Sequence, residues 1–281
     1  MKLARFNAGG ADELGVVEAD RVIALTGLAR DMIDLIARWP ALEAEARRMA
    51  KAASRSFPLA EVRLKAPIAR PGKILAIGLN YADHIEETGA KRPEHQIWFA
   101  KMPNAINGPF DDIQIPRGAS HVDYEAELVA IIGTRGRHIA KADAPGAVFG
   151  YCCGNDVTER AWQQRTSQWI LAKSFDTHAP MGPWIVTADE IPDPHTLGIR
   201  CFVNGEKRQD SNTSNLVFNV WDQIAHVSQV TTLDPGDCLF TGTPGGVGMA
   251  MKPPQFLKAG DRVRVEIDCL GALDAAFIAE P

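Results

Sequence analysis

Two glutamates, Glu125 and Glu127, stand two residues apart just before an apolar run in the stretch HVDYEAELVAIIG, residues 121–133. Side chains alternate across a β-strand, so a strand here would point both carboxylates the same way. Like charges on one face repel each other, so solvent or a cation must compensate. A solvated face is one explanation, because exposed glutamates are common. The other is a hard cation such as Mg²⁺, Mn²⁺ or Ca²⁺, which prefers oxygen ligands.

A third carboxylate comes from the stretch YCCGNDVTERAW, residues 151–162. Asp156 follows a tight apolar segment with the pattern of a strand, and a helix-like segment comes after it. Acidic residues at the ends of buried strands often belong to functional sites. Glu125, Glu127 and Asp156 together therefore predict a site for a divalent metal ion.

The stretch NYADHIEETG, residues 80–89, has the pattern of a short helix. Asn80 is a suitable N-cap, and Gly89 can close the helix at its C-terminal end. His84 and Glu87 are three residues apart, so they share one helix face. A glutamate that orients a histidine is a usual arrangement of a general base. On the residues alone, an exposed histidine with a weak surface ion pair is the preferred interpretation.

The same segment is too short to be a stable helix without tertiary support, because isolated helices need roughly 12–15 residues in water. We therefore predict that residues 80–95 form a lid that becomes ordered over a bound substrate. Such ordering would protect the segment's amides from hydrogen exchange when a ligand is present.

Two lysines lie in apolar surroundings. Lys173 belongs to ILAKSF, residues 170–175, which we predict to be a strand, and Lys101 ends the strand-like IWFAK. A buried lysine is costly unless it is paired. A salt bridge or a solvated side-chain end would explain both residues. The functional alternative is that the lysine is a cation that neutralises a substrate carboxylate or enolate. The case for this role is weaker for Lys101 than for Lys173.

Further polar groups could contact a substrate. The glycine-rich TGTPGGVG, residues 241–248, lacks the Gly-Lys-Ser/Thr of a phosphate loop. Its backbone N–H groups and the Thr243 hydroxyl could bind a carboxylate, although a tight structural turn would also explain it. Arg160 and Gln163 are three apart and share a helix face, which could reach substrate or simply be solvated.

The composition excludes several classes of protein. The chain has 281 residues, 46% hydrophobic, with a net charge of −5 and 7% aromatic residues. Without a basic patch or a base-stacking surface, nucleic acid is not expected as a partner. The N-terminus lacks the apolar core of a signal peptide and no run could span a membrane, so we expect a cytoplasmic protein with no membrane partner. The five cysteines show no metal or disulfide pattern.

The elements that must position these residues are mostly strands. Residues 1–25 predict three short strands, and residues 28–52 predict a helix interrupted at Pro40. We place a boundary near Pro67, which separates a small N-terminal domain (1–66) from a catalytic domain (67–281). Further along the chain, the sequence predicts an Asn-Gly hairpin at 204–205, a helix over 217–230 and a closing hairpin. The remaining strand-like stretches are KILAIG, IWFAK, IQIP, YEAELVAIIG, GYCCGND, PWIVT and CLFTG. The fold class is therefore α+β and β-rich, a roll or sandwich with a few helices.

Five stretches occur in the order GLNYADHIEETG, DYEAELVAIIG, GYCCGNDVTERAWQ, LAKSFDTHAPMGPWIV and GDCLFTGTPGGVG. Together they resemble the fumarylacetoacetate hydrolase family in its short form, with acylpyruvate and diketo-sugar-acid hydrolases. The resemblance covers roughly residues 67–281, while the N-terminal part is too short for the large β-barrel domain of the longer members. It implies a mixed β-roll of the family's C-terminal type with a small α/β N-terminal domain, and a homodimer.

The resemblance also implies roles for individual residues. Glu125, Glu127 and Asp156 would hold Mg²⁺ or Mn²⁺. His84 and Glu87 would form the pair that activates water. The resemblance therefore favours a catalytic pair over an exposed histidine with a weak surface ion pair. Lys173 would lie at the metal site as a catalytic cation, and the substrate-binding candidates are Lys101, Arg160, Gln163 and Thr243.

We therefore expect a metal-dependent hydrolase that cleaves a C–C bond in a β-diketo acid such as an acylpyruvate, through an enolate. An oxaloacetate-type decarboxylase, or a lyase or hydratase on a related 2-oxo acid, would share that enolate. An alternative of a different class is a non-catalytic protein whose cation is purely structural.

Overall fold

The computed structural model describes all residues from 1 to 281. The α-helices are α1 (Met32–Ala37), α2 (Trp39–Ala52), α3 (Ala82–Thr88), α4 (Arg160–Gln163), α5 (Ile170–Lys173) and α6 (Val220–Val227). The strands are β1 (Lys2–Asn7), β2 (Asp12–Glu18), β3 (Arg21–Ala24), β4 (Ser56–Pro58), β5 (Arg63–Lys65), β6 (Ile74–Gly78), β7 (Ile97–Lys101), β8 (Ile106–Asn107), β9 (Ile113–Ile115), β10 (Val122–Asp123), β11 (Ala126–Ile132), β12 (Val148–Asn155), β13 (Thr158–Glu159), β14 (Ala179–Thr187), β15 (Gly198–Val203), β16 (Glu206–Asn212), β17 (Cys238–Phe240), β18 (Arg262–Ile267) and β19 (Gly271–Ala279). The α+β, strand-rich class expected from the sequence is confirmed.

Most strands form one mixed sheet in the order β4-β3-β2-β1-β14-β12-β11-β17-β6-β7, with β5 paired to β1 and β8 paired to β14. The N-terminal strands join this sheet through β1, where Lys2 lies opposite Val186 of β14. The sheet therefore runs across the boundary proposed near residue 67, and the division into two domains stays a prediction.

A second sheet has the order β16-β15-β18-β19-β9. The Asn-Gly hairpin joins β15 to β16, and Asn204 and Gly205 have φ angles of 53° and 83°. A two-residue turn with both φ angles positive matches the right-handed twist of the flanking strands. The closing hairpin of β18 and β19 also forms as expected.

The apolar run of β11 is buried on both faces. Leu128, Ala130 and Ile132 belong to one hydrophobic cluster, whereas Val129 and Ile131 belong to another. Each fully buried side chain of this size contributes about 1.5–3 kcal/mol, so the strand is held firmly between β12 and β17. This anchoring fixes the position of the acidic residues at its start.

Two helix boundaries differ from the expectations. The break in the first helical region falls at Arg38, because Pro40 is accommodated in the first turn of α2, where it removes no helical hydrogen bond. The helix expected over 217–230 is shorter: Asn219 caps it by accepting from the N–H of Asp222, and it ends at Val227.

The strand expected over residues 170–175 is wrong, because Ile170–Lys173 is a short helix in which the Lys173 N–H donates to the Trp169 carbonyl. The helix packs against α4 and β7 instead of pairing with another strand, and Leu171 is exposed. The N-cap expectation for Asn80 is also wrong. Tyr81 occupies the cap position, and the Asn80 amide donates instead to the carbonyls of Phe218 and Thr241.

Candidate active site

Glu125, Glu127 and Asp156 come together as the sequence predicts. Their ligand oxygens lie within 4.8 Å of one another, and all three side chains are buried. The pairing of β11 with β12 brings them there: the Glu125 N–H donates to Asn155 Oδ1 at 2.9 Å, and the Asp156 N–H donates to the Glu125 carbonyl at 2.8 Å. The solvated face considered for the two glutamates is therefore excluded.

Buried cations lie against these carboxylates. Lys173 Nζ donates to Glu125 Oε2 at 2.7 Å and also to Asp156. Arg160 Nη1 lies 2.7 Å from Glu125 Oε1. Lys101 Nζ lies 2.6 Å from Asp156 Oδ1, and its side chain does not line the cavity described below. Lys101 therefore contacts the carboxylate cluster through Asp156, and its role in substrate binding stays a prediction.

The two glutamates have different electrostatic environments. Burial alone would raise the pKa of Glu125, but Lys173 and Arg160 lower that pKa to about 2. Burial raises the pKa of Glu127 well above its usual range, and the charges of Asp156 and Glu125 raise it further. Glu127 has no ion pair, and the donor within hydrogen-bond distance is the Gly242 N–H at 2.8 Å.

The charge balance fits a bound cation. Four buried carboxylates, those of Asp123, Glu125, Glu127 and Asp156, face three buried cations, those of Lys101, Arg160 and Lys173. Such an excess of negative charge is unfavourable away from water. An oxygen-only donor set with one unpaired carboxylate suits a hard divalent cation.

The His84 and Glu87 side chains face each other on α3, with Nδ1 of His84 3.4 Å from Oε2 of Glu87. His84 is 8% exposed, so the exposed surface pair is not what the structure contains. Backbone groups of the glycine-rich loop hold the helix: the Gly246 N–H donates to Glu87 at 2.9 Å, and the Gly245 N–H donates to Asp83 at 3.2 Å. The loop therefore orients the glutamate that faces the histidine.

These groups share a cavity of about 290 Å³. Its polar wall includes both glutamates of the carboxylate cluster and the candidate side chains His84, Arg160, Gln163, Lys173 and Thr243. Its apolar wall consists of Ile77, Leu79, Ala90, Phe99, Trp169 and Met249. The Arg160 guanidinium donates to Gln163 Oε1 at 3.0 Å, so the expected pair does share one face.

Comparison with known proteins identifies the family of the chain. The family described as "Fumarylacetoacetate (FAA) hydrolase C-terminal" matches residues 73–278, and a family described as "Rv2993c-like, N-terminal" matches residues 1–67. The chain belongs to the fumarylacetoacetate hydrolase family. The family recognised from the five ordered stretches is thereby confirmed.

The relatives of this chain carry names that refer to different reactions. The rat protein named oxaloacetate tautomerase Fahd2a, mitochondrial, is 46% identical over 88% of this chain and 79% of its own. A fumarylacetoacetate hydrolase from Exiguobacterium antarcticum superposes with a TM-score of 0.89 at 37% identity, over all of both chains. A maleylpyruvate hydrolase from Sphingobium sp. SYK-6, solved with manganese(II) and pyruvate, gives 0.85 at 35%, also over all of both chains. No helix in the present structure is long and apolar enough to cross a membrane.

Asp123 holds other residues of the site in place and was not identified from the sequence. Its carboxylate is fully buried and accepts from the Gly248 N–H at 2.8 Å, the Met249 N–H at 3.0 Å and Arg160 Nε at 2.9 Å. It therefore ties the end of the glycine-rich loop to the arginine. The sequence offered one indication, because Asp123 lies two residues before Glu125. An acidic residue at that position is not distinctive by itself.

Proposed function

We propose that this protein is a divalent-metal-dependent hydrolase that cleaves a C–C bond in a β-diketo acid of the acylpyruvate type. The observation that carries the proposal is the shared cavity. Glu125, Glu127, His84 and Lys173 line a space large enough for a small 2-oxo acid. Asp156 contacts Lys173 and Glu87 faces His84, which supports their inclusion in the same site.

Glu125, Glu127 and Asp156 would hold the cation, Mg²⁺ or Mn²⁺. When bound, it supplies Lewis-acid polarisation of the oxygens at the 2-oxo acid end of the substrate. The fit rests on the oxygen-only donor set and on Glu127, whose carboxyl group has no cationic side chain as a partner.

His84 is the base that takes a proton from water. Its Nδ1 faces Glu87, so Nδ1 carries the proton and Nε2 keeps a free lone pair. The distance of 3.4 Å is long for a hydrogen bond, and such contacts commonly tighten when substrate binds. The activated water adds to the carbonyl farther from the carboxylate.

Cleavage then breaks the bond between that carbonyl carbon and the neighbouring CH₂. The released electron pair forms a pyruvate-type enolate, whose charge the Lys173 ammonium stabilises at a buried position. The proton taken by His84 is returned to the carbon. One water is consumed, and the products are a carboxylic acid and a 2-oxo acid.

The remaining polar wall would fix the geometry of the substrate. Thr243 and the backbone of its loop provide donors for the substrate carboxylate. Arg160 and Gln163 lie across the cavity wall, where they can contact the oxygens of the diketone.

A second candidate function is the tautomerisation of oxaloacetate, favoured by the names of relatives such as the rat protein. This reaction shares the 2-oxo acid and the enolate but requires no attack by water. The same cation and lysine would serve it, with His84 moving a proton between carbon and oxygen.

A substrate panel would separate these functions. Acylpyruvates, diketo sugar acids and oxaloacetate would be assayed with and without EDTA, in the unaltered protein and in His84→Ala. We expect EDTA to abolish all activity and His84→Ala to reduce hydrolysis by about 10²–10⁴-fold, the usual contribution of a general base. Activity that survives complete metal removal would contradict the mechanism. Oxaloacetate tautomerisation without any diketo-acid cleavage would favour the second function.

We also propose a homodimer with no nucleic-acid or membrane partner. Exposed apolar side chains lie on and beside α4 and α5: Trp162 is 36% exposed, Leu171 57% and Met102 43%. Their burial in a second copy would follow from the hydrophobic effect. Light scattering coupled to size-exclusion chromatography tests this, and a monomeric mass at micromolar concentration would contradict it.

A further inference from the structure

Gln209 lies on β16, in the second sheet, yet its side chain contacts two parts of the active site. The side chain is fully buried. Its Oε1 accepts from the Ala126 N–H at 3.0 Å, and Ala126, the first residue of β11, lies between the metal-binding candidates Glu125 and Glu127. Its Nε2 donates to Thr243 Oγ1 and to the Pro244 carbonyl, both at 2.8 Å.

These partners permit one orientation of the amide. The Ala126 N–H can only donate, so it must face the oxygen of the Gln209 amide. The Pro244 carbonyl can only accept, so it must face the nitrogen. The network itself therefore assigns the positions of O and N.

The orientation of Gln209 determines what the Thr243 hydroxyl can do. Because Oγ1 accepts from Gln209, the hydroxyl proton must be directed to another acceptor. Thr243 has no further hydrogen-bond partner in the protein, and its side chain lines the cavity. The proton is therefore available to an oxygen atom of a molecule in the cavity.

The glycine-rich loop rests on the same part of β16. Gly246 has a φ angle of 103°, and a Cβ atom there would lie 1.9 Å from the Arg208 carbonyl oxygen and 3.1 Å from Gln209 Cα. The backbone of β16 thus forms the surface on which the loop is laid, independently of the side-chain hydrogen bonds. The side-chain hydrogen bonds of Gln209 and the close backbone approach at Gly246 both indicate that β16 fixes the position of the loop and of Thr243.

We propose that Gln209 is a positioning residue that makes the Thr243 hydroxyl a dedicated donor to the carboxylate of the substrate. It does so while fixing the backbone between Glu125 and Glu127, so that carboxylate recognition and the metal-binding segment keep a constant separation. The inference deepens the proposed function, because it rests on a carboxylate being bound at that site.

The test is a double-mutant cycle of Gln209→Met and Thr243→Val, with oxalate as the probe in the presence of Mn²⁺. Isothermal titration calorimetry measures oxalate affinity without any turnover. Each single variant should weaken oxalate about tenfold, the usual effect of losing one hydrogen bond to a charged group. At a Mn²⁺ concentration that saturates every variant, the double variant should be hardly weaker than Thr243→Val alone, because the effect of Gln209 on carboxylate binding passes through the hydroxyl. Thr243→Ser, which keeps the hydroxyl, should restore most of the affinity.

Gln223→Met is the matched control. Gln223 is also fully buried and donates to two backbone carbonyls, that of Phe218 at 2.9 Å and that of Thr241 at 3.5 Å, but it contacts neither Thr243 nor Ala126 and does not line the cavity. It should lower the melting temperature and leave oxalate affinity unchanged. With a turned-over substrate, Gln209→Met should raise KM more than it lowers kcat.

Additive losses in the double variant, or no oxalate binding by the unaltered protein, would overturn the inference. A Gln209→Met variant that melts lower but binds oxalate normally would also overturn it. Coupled losses of oxalate affinity in a protein that cleaves no diketo acid would support the inference and contradict the proposed function. The two failures are therefore distinguishable.

Discussion

The Lys173 ammonium bridges Glu125 and Asp156, with Nζ 2.7 Å from Glu125 Oε2. One lysine thus contacts two of the three carboxylates that form the candidate metal site. Burial alone would lower the pKa of Lys173, but Asp156 and Glu125 raise it above the usual lysine value. The lysine is therefore charged in the folded protein, and we expect it to compete with a bound cation for the charge of these two carboxylates.

This competition predicts an unusual result for Lys173→Met. The variant should bind Mn²⁺ at least as tightly as the unaltered protein, because Glu125 and Asp156 each lose one of their two cationic partners. Its kcat for diketo-acid cleavage should fall by about 10²–10³-fold, since a charge that stabilises the enolate is gone. Calorimetry and steady-state kinetics measure the two effects.

Lys101→Met is the control: it removes a cation from Asp156 without altering the cavity wall, so its loss of kcat should be smaller. Weaker metal binding by Lys173→Met would contradict the competition.

The two glutamates should respond differently to the same substitution. Glu127→Gln removes a carboxylate without an ion pair, so metal affinity should fall while the metal-free protein keeps its stability or gains some. Glu125→Gln leaves Lys173 and Arg160 without their shared partner. It should weaken metal binding and also lower the free energy of unfolding by about 3 kcal/mol, as expected when a buried pair is broken. Denaturant unfolding without metal checks the difference, and equal stability of the two variants would refute it.

The lid predicted over residues 80–95 can be tested by hydrogen exchange. In the structure, α3 is fastened to the glycine-rich loop through Asp83 and Glu87, which accept backbone N–H groups of Gly245 and Gly246. These contacts lie near the cavity, so a bound ligand should reinforce them and slow exchange across the segment. The measurement compares the protein alone, with Mg²⁺, and with Mg²⁺ and oxalate. Protection that does not rise with the ligand would show that the segment is not a lid.

His178 should make stability fall in acid. Its side chain is fully buried, with Nε2 2.9 Å from the Gln114 carbonyl. Burial, with a smaller contribution from Lys101, lowers the pKa of His178 to about 3, despite the hydrogen bond to Gln114. The unfolded chain binds this proton near pH 6.5, so the stabilisation is complete above that pH and is lost as the pH falls towards 3.

The loss should approach about 1.4 kcal/mol per pH unit within that window. His178→Gln keeps a donor for Gln114 but cannot titrate, so its unfolding free energy should depend less steeply on pH between 6 and 4. Urea unfolding of both proteins at several pH values measures the difference. Identical slopes would mean that His178 is protonated in the folded protein.

Much of the site was visible in the sequence because it follows local rules. Alternation along a strand predicted that Glu125 and Glu127 share one side, and their side chains do come together although β11 itself begins at Ala126. Helical spacing predicted that His84 lies next to Glu87. The Asn-Gly turn was equally local. In contrast, ILAKSF was misassigned because short apolar runs are compatible with either a strand or a helix, and only packing decides between them.

The amino-acid sequence by itself determined which chemical groups are present and which neighbours along the chain share a face. Only the tertiary structure decided how those groups are paired. Gln209 contacts Ala126 and Thr243, and Asp123 contacts Arg160 and Gly248, over long separations that leave no periodic trace in the sequence. Side-chain hydrogen bonds of this kind depend on where two sheets meet. That placement follows from burial of the whole core rather than from any local pattern.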